Sequence, residues 1–275
     1  MRLKILPVLF TIGFLLLACQ PSTPDATPTL VITETPPPLP AATETSVPEA
    51  SPTPERPEEA IFIQEPGPGS QVTSPIRVAG VADPTFEQNL VVRVVLDDGT
   101  QLTEVPTIIQ ADVGQRGNFE VEVPISLDMQ RNIFIQVYAS SARDGGITHL
   151  SSTGVIFSPA GPENIVTSQP HPERIGIFQP RTGGTISGGV VHVEGFALAS
   201  FEQSLLVEVL DADGNVVGSQ PVIVQAPDLG QPGPFSADVP YTVAQSDAGR
   251  IVVRDISPAF GGDTHLSSVE ITLEP

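Results

Sequence analysis

Five consecutive residues occur twice in this chain without a change, as Thr148-His149-Leu150-Ser151-Ser152 and as Thr264-His265-Leu266-Ser267-Ser268. Earlier matches keep nearly the same spacing: Phe86-Glu87-Gln88 returns 115 residues later as Phe201-Glu202-Gln203, and Gly80 returns as Gly195. A period this long exceeds the roughly 20–50 residues that are typical of solenoid repeats. The sequence therefore predicts two copies of one domain in tandem, over residues 60–159 and 174–275, joined by an interdomain linker over residues 160–173.

Each copy is interpreted as an all-β, antiparallel sandwich, because short β-branched runs alternate with turn residues. Phe119, Val121 and Val123 alternate with polar residues, so one face of that strand is expected to meet a core. Asp97-Asp98-Gly99 and Asp211-Ala212-Asp213-Gly214 are interpreted as hairpin turns, in which glycine adopts a positive φ. The second turn is similar to a calcium loop but lacks the closing glutamate. Strands of the first copy are predicted near residues 61–64, 75–82, 90–96, 106–110, 118–123, 133–139 and 148–157.

The first residues of the chain have the order of an export signal. Arg2 and Lys4 precede an apolar run that ends in Leu16-Leu17-Ala18-Cys19, and Cys19 is the only cysteine. This order resembles the lipobox of bacterial lipoprotein signal peptides, which implies that residues 1–18 are removed and that Cys19 is the lipid attachment site. Two or three acyl chains, at about 0.8 kcal/mol per buried CH₂, anchor a protein firmly. The resemblance implies an extracytoplasmic protein on the outer face of the cell membrane or on the outer membrane; an ordinary secretory signal is the alternative.

Composition predicts a disordered Pro/Thr/Glu-rich linker over residues 19–59, because this stretch offers little apolar surface to offset its ordering entropy. The chain has 12 Lys and Arg against 32 Asp and Glu, a formal net charge of −20. Such a surface repels phosphate backbones, so nucleic acid is excluded as a partner.

Short recurring motifs resemble the bacterial spore-germination immunoglobulin-like domain. They are a strand that ends in Gly-x-Ala, then Phe-Glu, an Asp-x-Gly turn and a later Gly-x-Phe; they occur as Gly80-Val81-Ala82 and Gly195-Phe196-Ala197, Phe86-Glu87 and Phe201-Glu202, Gly99 and Gly214, and Gly117-Asn118-Phe119 and Gly233-Pro234-Phe235. The tryptophan that many members carry is missing, because the chain has no Trp. The resemblance implies two tandem immunoglobulin-like antiparallel β-sandwich domains with an extracytoplasmic, non-catalytic role.

The recurring histidines, His149 and His265, are candidates for the base of a hydrolase, with Asp144 or Asp263 as the orienting acid. The sequence contains neither a Gly-x-Ser-x-Gly elbow nor a His-Glu-x-x-His helix. The alternative is that Thr-His-Leu-Ser-Ser begins the last strand of each copy, with its leucine inward and its histidine outward or capping a turn. The sequence favours this structural role, and it predicts no enzyme, no cofactor, and no catalytic, cofactor-binding or metal-binding residue.

The function expected from the sequence is a structural or protein-binding role at the cell envelope. Its predicted partners are membrane lipid, through Cys19, and an envelope protein or peptide, which could add a strand to a sheet edge. A carbohydrate-binding adhesin is the alternative, for which Tyr138 and Tyr241 are the only tyrosine platforms. Phe86 and Phe201 are predicted to fill the core. The glutamates that follow them are predicted to accept backbone N–H bonds or to face a ligand.

Overall fold

The computed structural model describes residues 56–199 and 201–275. The predicted signal peptide, Cys19 and the linker up to residue 55 lie outside the described residues. Within the described ranges, no helix is long and apolar enough to cross a membrane. The helical structure there is a single 3-10 turn at Phe86–Gln88, and the remaining regular elements are strands.

The strands of the first domain are β1 (Ile61–Glu65), β2 (Gln71–Val72), β3 (Ile76–Ala82), β4 (Asn89–Leu96), β5 (Gln101–Ile108), β6 (Gly117–Val123), β7 (Arg131–Ser140) and β8 (Ile147–Phe157). Those of the second domain are β9 (Ile175–Gln179), β10 (Thr185–Ile186), β11 (Val190–Ala197), β12 (Ser204–Leu210), β13 (Val216–Ile223), β14 (Gly233–Pro240), β15 (Asp247–Ile256) and β16 (Asp263–Leu273). The strand positions predicted for the first copy are confirmed, except that β5 begins five residues earlier than expected and β2 was not predicted.

Each domain is a sandwich of two antiparallel sheets, so the predicted fold class is confirmed. In the first domain the sheet β1-β3-β6 faces the sheet β8-β7-β4-β5, and in the second the sheet β9-β11-β14 faces β16-β15-β12-β13. The short strands β2 and β10 pair in parallel with β8 and β16. Apolar side chains from both sheets fill a separate core in each domain, with Val92 and Ile135 fully buried in the first and Val193 and Val253 in the second.

The Gly-x-Ala and Gly-x-Phe motifs meet in the core of each domain. Gly80 pairs with Phe119 across β3 and β6, and Gly195 pairs with Phe235 across β11 and β14. A Cβ atom at Gly80 would lie 2.7 Å from the Phe119 ring and would also collide with the backbone of Phe62. Glycine is therefore required there so that the facing ring can lie flat over the strand.

In the Phe-Glu-Gln motif of the first domain, the buried side chain is the glutamine and not the phenylalanine. Gln88 is 5% exposed, and its amide donates to the carbonyl oxygens of Asp112 and Gln115 at 3.1 and 3.0 Å. Phe86 and Phe201 are 59% and 46% exposed, so the prediction that they fill the core is wrong. The two glutamates have positive φ angles of 54° and 44°, which turn the chain at this point.

The predicted hairpin turns are confirmed. Gly99 and Gly214 have φ angles of 85° and 82° between their strand pairs. Asp211 accepts backbone N–H bonds from Asp213 and Asn215 at 3.0 and 2.8 Å, so its carboxylate closes its own turn.

The segment between the domains is attached to the first one. Gln71 and Asn164 exchange two backbone hydrogen bonds of 2.9 Å, and the N–H of Ser168 donates to the carbonyl oxygen of Gln64 at 2.9 Å. An isolated bridge also joins Glu58 to Pro172. These contacts place the residues that precede β1 beside the residues that precede β9.

Candidate functional site

The two domains meet where β8 and β16, which both contain the repeated pentapeptide, lie side by side. The hydroxyl of Ser152 donates to the carbonyl oxygen of Thr264 at 2.6 Å, and the hydroxyl of Ser268 donates to that of Thr148 at 2.7 Å. Since Ser152 and Ser268 are equivalent in the two copies, as are Thr148 and Thr264, the contacts are reciprocal. The interface is therefore isologous, like that of a two-fold symmetric homodimer.

The leucines of the pentapeptide form an apolar cluster of their own. Leu150 pairs with Leu266 between the two strands, and both are buried with Tyr138 and Val252. They are buried, as expected, but against the other domain rather than in the core of their own sandwich. The pentapeptide thus supplies both the polar and the apolar contacts of the interface.

Two equivalent positions flank this cluster; an ion pair occupies one and a pair of aromatic rings occupies the other. On one side the Arg250 guanidinium binds both oxygens of Asp144 at 2.9 and 2.8 Å. On the other side, the equivalent residues Phe134 and Phe260 form a tilted ring pair with centroids 5.3 Å apart. Because the Arg250 and Asp144 side chains are 0% and 2% exposed, this ion pair is fully enclosed between the domains.

A group of two histidines and two glutamates, named here the His–Glu cluster, lies at the centre of the interface. Its members are Glu59, His149, Glu173 and His265. One ligand atom from each residue lies within 4.8 Å of all the others. Their side chains are 0%, 15%, 6% and 2% exposed in that order. Each domain contributes one histidine from its pentapeptide, and each glutamate precedes the first strand of a domain, so the cluster shares the two-fold relation of the interface.

The backbone orients both glutamates so that one oxygen of each faces the cluster. The N–H of Ala60 donates to Oε2 of Glu173 at 2.7 Å, and the N–H of Arg174 donates to Oε2 of Glu59 at 3.0 Å. The Oε1 atoms of both glutamates are buried and make no hydrogen bond. This crossed arrangement again links each repeat to the other.

The histidines present their Nε2 atoms to the same space. Nε2 of His265 lies 2.8 Å from Oε1 of Glu59, and Nε2 of His149 lies 3.4 Å from Oε1 of Glu173, yet neither nitrogen makes a hydrogen bond. The hydroxyl of Ser267 lies 3.4 Å from Nδ1 of His149 and holds the other side of that ring. Of the two alternatives for the histidines, outward or capping a turn, the outward one is wrong: His265 is 1% exposed, because its ring turns into the interface, and the His149 side chain is 15% exposed.

Burial and charge act differently on the two rings. Burial lowers the pKa of His149, and the nearby carboxylates do not offset this effect. Burial also acts to lower the pKa of His265, but the carboxylates of Glu59 and Glu173 outweigh it and raise that pKa to about 9. Without a bound cation, the positive charge that faces Glu59 is therefore a proton on His265.

The hydrolase alternative needs an aspartate beside each histidine, and the structure pairs those aspartates with arginines. Asp144 is bound by Arg250, and Asp263 is bound through both oxygens by Arg254 at 2.8 Å each. The aspartates and histidines are thus not brought together. The tyrosine platforms of the carbohydrate alternative are buried as well, because Tyr138 and Tyr241 are 7% and 4% exposed.

A groove of about 540 Å³ runs between the domains and reaches His149. Its walls include Pro84, the exposed Phe86, Arg143 and Val269. His149 is the member of the His–Glu cluster that lines this groove.

Sequence reasoning singled out the two histidines but missed the two glutamates. Glu59 had been placed in the disordered linker, whereas the structure buries it. A signal was present: Glu59 and Glu173 both stand two residues before the first strand of a repeat, in Glu-x-Ile. The recurrence of these glutamates with the histidines pointed to one shared site.

Known structures resemble the chain only distantly. The dimeric latent PorU from Porphyromonas gingivalis is 12% identical over 78% of this chain and 24% of its own, with a TM-score of 0.25. The Ig1-2 module of the Drosophila receptor protein tyrosine phosphatase DLAR is 9% identical over 80% of this chain and all of its own, with a TM-score of 0.21. This chain thus spans about a quarter of PorU.

Among curated proteins, none matches this chain. A family model does match, in two segments over residues 60–146 and 174–262, and it describes the immunoglobulin-like domain of bacterial spore germination. These segments cover more than half of the chain and contain the recurring Gly-x-Ala, Phe-Glu and Gly-x-Phe motifs, whereas the repeated pentapeptide lies just after each segment. The chain therefore belongs to the family of the immunoglobulin-like domain of bacterial spore germination, of which it carries two copies.

Proposed function

We propose that this chain is a lipid-anchored protein of the bacterial cell envelope, which holds a rigid pair of immunoglobulin-like domains outside the cytoplasm for a structural or protein-binding role. The observation that carries the proposal is the isologous interface, because residues from both copies of the repeated pentapeptide join the domains. The recurring polar residues therefore serve assembly of the pair, which suits a non-catalytic module.

The order of residues before Cys19 supports the anchor. A basic start, a short apolar run and Leu-Ala-Cys are what a lipoprotein signal requires. The Pro/Thr-rich stretch before residue 56 would then separate the domains from the lipid surface, by about 35 Å as a random coil. The net charge of −20 repels anionic lipid headgroups, which favours a body held away from the membrane.

Metabolic labelling tests the anchor. Cells that express the full chain are grown with an alkyne-tagged fatty acid, and the protein is followed by click chemistry and membrane fractionation. The wild type is expected to carry the label and to sediment with membranes, while Cys19→Ala carries none. Ser22→Ala is the matched control and keeps the label. An unlabelled wild type, or a labelled Cys19→Ala, would contradict the proposal.

The partner we propose is an envelope protein that binds through side chains, at the exposed aromatic residues. Phe86 and Phe201 recur in the two copies and project from the surface, and Phe86 lines the groove between the domains. The outer strands β5 and β13 each carry a proline, Pro106 and Pro221, which lacks the N–H that an added strand would need. Strand addition at these edges is therefore disfavoured.

Crosslinking in intact cells tests this surface. A photoreactive phenylalanine analogue at position 86 is expected to crosslink one discrete envelope protein, whereas the same analogue at the exposed Val113 yields none. The same pattern of products from both positions would contradict a specific role for Phe86.

A further inference from the structure

The His–Glu cluster has the properties of a metal site. Oε1 of Glu59, Oε1 of Glu173 and the two imidazole Nε2 atoms are buried and make no hydrogen bond. One ligand atom from each of the four residues lies within 4.8 Å of all the others. Buried polar atoms are nearly always paired, and the one close contact here, 2.8 Å between His265 and Glu59, compensates only one of the two buried carboxylates. We propose that the His–Glu cluster binds one divalent transition-metal ion, Zn²⁺ in particular, and that this ion ties the two domains together.

The spacing of the donor atoms fits tetrahedral coordination. With metal–ligand bonds of about 2.0–2.1 Å, the donors of a tetrahedral Zn²⁺ site lie about 3.3 Å apart. The three measured contacts are 2.8 Å between His265 and Glu59, 3.4 Å between His149 and Glu173, and 3.5 Å between His265 and Glu173. The remaining pairs lie within 4.8 Å, so each would have to close by at most about 1.5 Å to reach the tetrahedral spacing.

The surroundings hold the ligands in place before an ion arrives. Backbone N–H groups of Ala60 and Arg174 occupy Oε2 of each glutamate and leave Oε1 for the metal. The Ser267 hydroxyl lies 3.4 Å from Nδ1 of His149, and in the tautomer with Nδ1–H it would accept that hydrogen bond and leave Nε2 for the metal. Such outer contacts are typical of protein metal sites, in which they fix the ring orientation and the tautomer.

Charge balance favours a divalent ion. Two carboxylates with little or no exposure to solvent are costly unless a cation compensates them. One divalent ion with two neutral imidazoles and two carboxylates makes a neutral site. The cluster then contains no uncompensated charge.

The donor types select the kind of metal. Ca²⁺ and Mg²⁺ prefer sites made of oxygen atoms, whereas two imidazoles with two carboxylates suit Zn²⁺ and its neighbours. Four protein ligands fill a tetrahedral shell and leave no open position, which is typical of a structural and not a catalytic ion. Since each domain supplies one histidine and one glutamate, the ion would crosslink the two repeats.

Calorimetry on the full-length chain in detergent tests the proposal. After treatment with a chelator, the wild type is expected to bind one Zn²⁺ per chain and to show a higher melting temperature with the ion than without it. Co²⁺ in place of Zn²⁺ is expected to give the intense visible absorption of a tetrahedral complex. Binding of no ion, or a Co²⁺ spectrum of octahedral type alone, would overturn the proposal.

Single substitutions locate the ion. His265→Gln and His149→Gln are each expected to weaken Zn²⁺ binding by about tenfold or more. The matched control is His192→Gln, because His192 is an exposed histidine that also contacts two carboxylates, at 2.6 and 3.0 Å. It should bind as the wild type does. A loss in His192→Gln equal to that in the cluster variants would place the ion on the surface and refute the site. If His265→Gln does not fold, the Zn²⁺ affinity of His149→Gln and the number of ions bound by the wild type still test the site.

Discussion

The two flanks of the interface are equivalent positions in the two repeats, but they are occupied by different side chains. One flank is the buried ion pair of Asp144 with Arg250, and the equivalent flank is the ring pair of Phe134 with Phe260. Replacing the ion pair by two phenylalanines should therefore reproduce at one flank the packing that already exists at the other. The single substitution Arg250→Phe, by contrast, leaves the Asp144 carboxylate with only the more distant Arg143, whose Nη2 lies 3.6 Å away.

The structure sets the magnitudes. The Asp144 side chain is 2% exposed, so Arg250→Phe should lower the free energy of unfolding by up to about 3–5 kcal/mol, the cost of removing one partner of a buried pair. The double substitution Asp144→Phe with Arg250→Phe removes both buried charges and should be neutral, or stabilising by up to about 4 kcal/mol. Glu270 loses its 2.7 Å contact with Arg250 but keeps Arg143 at 2.7 Å. A glycine faces each of the two equivalent positions: Gly99 faces Phe260, and Gly214 faces Asp144. A Cβ added at Gly99 would lie 3.2 Å from Phe260, and one added at Gly214 would lie 3.3 Å from Asp144, so the two flanks offer a ring similar space.

Urea unfolding followed by circular dichroism measures both variants. The expected order of stability places the double variant at or above the wild type and Arg250→Phe well below both. A cost below about 1 kcal/mol for Arg250→Phe would show that Asp144 reaches water, and that the domains are not closed over it. A double variant as unstable as the single one would refute the equivalence of the two flanks.

Three further predictions concern stability in urea. Gly80→Ala should cost about 1–3 kcal/mol, because its Cβ meets the facing phenylalanine ring at 2.7 Å, while Gly154→Ala, with 3.5 Å to its nearest neighbour, should cost little; equal effects would contradict this account. Gln88→Leu should lower the free energy of unfolding by about 1–3 kcal/mol, because it leaves two loop carbonyls unpaired. Phe86→Ser should change it by no more than about 0.5 kcal/mol, because Phe86 is exposed. A larger loss for Phe86→Ser than for Gln88→Leu would contradict this account. Burial acts to raise the pKa of Asp144, but its arginine partner outweighs burial and lowers that pKa to about 2. The wild type should therefore be more stable than Asp144→Asn by about 2 kcal/mol above pH 4, and this advantage should vanish as the pH falls to about 2. An advantage independent of pH would contradict this ion pair.

Much of the fold could be predicted from the sequence, because strand and turn signals are local. The alternation at Phe119, Val121 and Val123 and the glycine turns after β4 and β12 were sufficient to place the sandwiches. The recurrence of Gly80 was visible too, although its purpose, to admit a phenylalanine ring from a strand far along the chain, was not. The sequence places Phe86 in the core because phenylalanine is apolar. It does not show that Glu87 adopts a positive φ, which turns the chain at this point and leaves Phe86 exposed.

The site could be predicted only in part, because it forms between two domains. The pentapeptide repeats because it faces its own copy, and a single sequence does not show which surface a strand presents to another domain. His149 and His265 were therefore interpreted within separate sandwiches. Glu59 was assigned to a linker by composition, since its partner, the N–H of Arg174, lies more than a hundred residues away.

The central claim is that reciprocal contacts between the pentapeptides hold the two domains as one rigid body. Backbone ¹⁵N relaxation on the labelled, metal-loaded protein tests it directly, because the rotational diffusion of each domain is read separately. The account predicts one common diffusion tensor for residues 60–159 and 174–275. Two independent correlation times, each that of a single sandwich on a flexible tether, would contradict it.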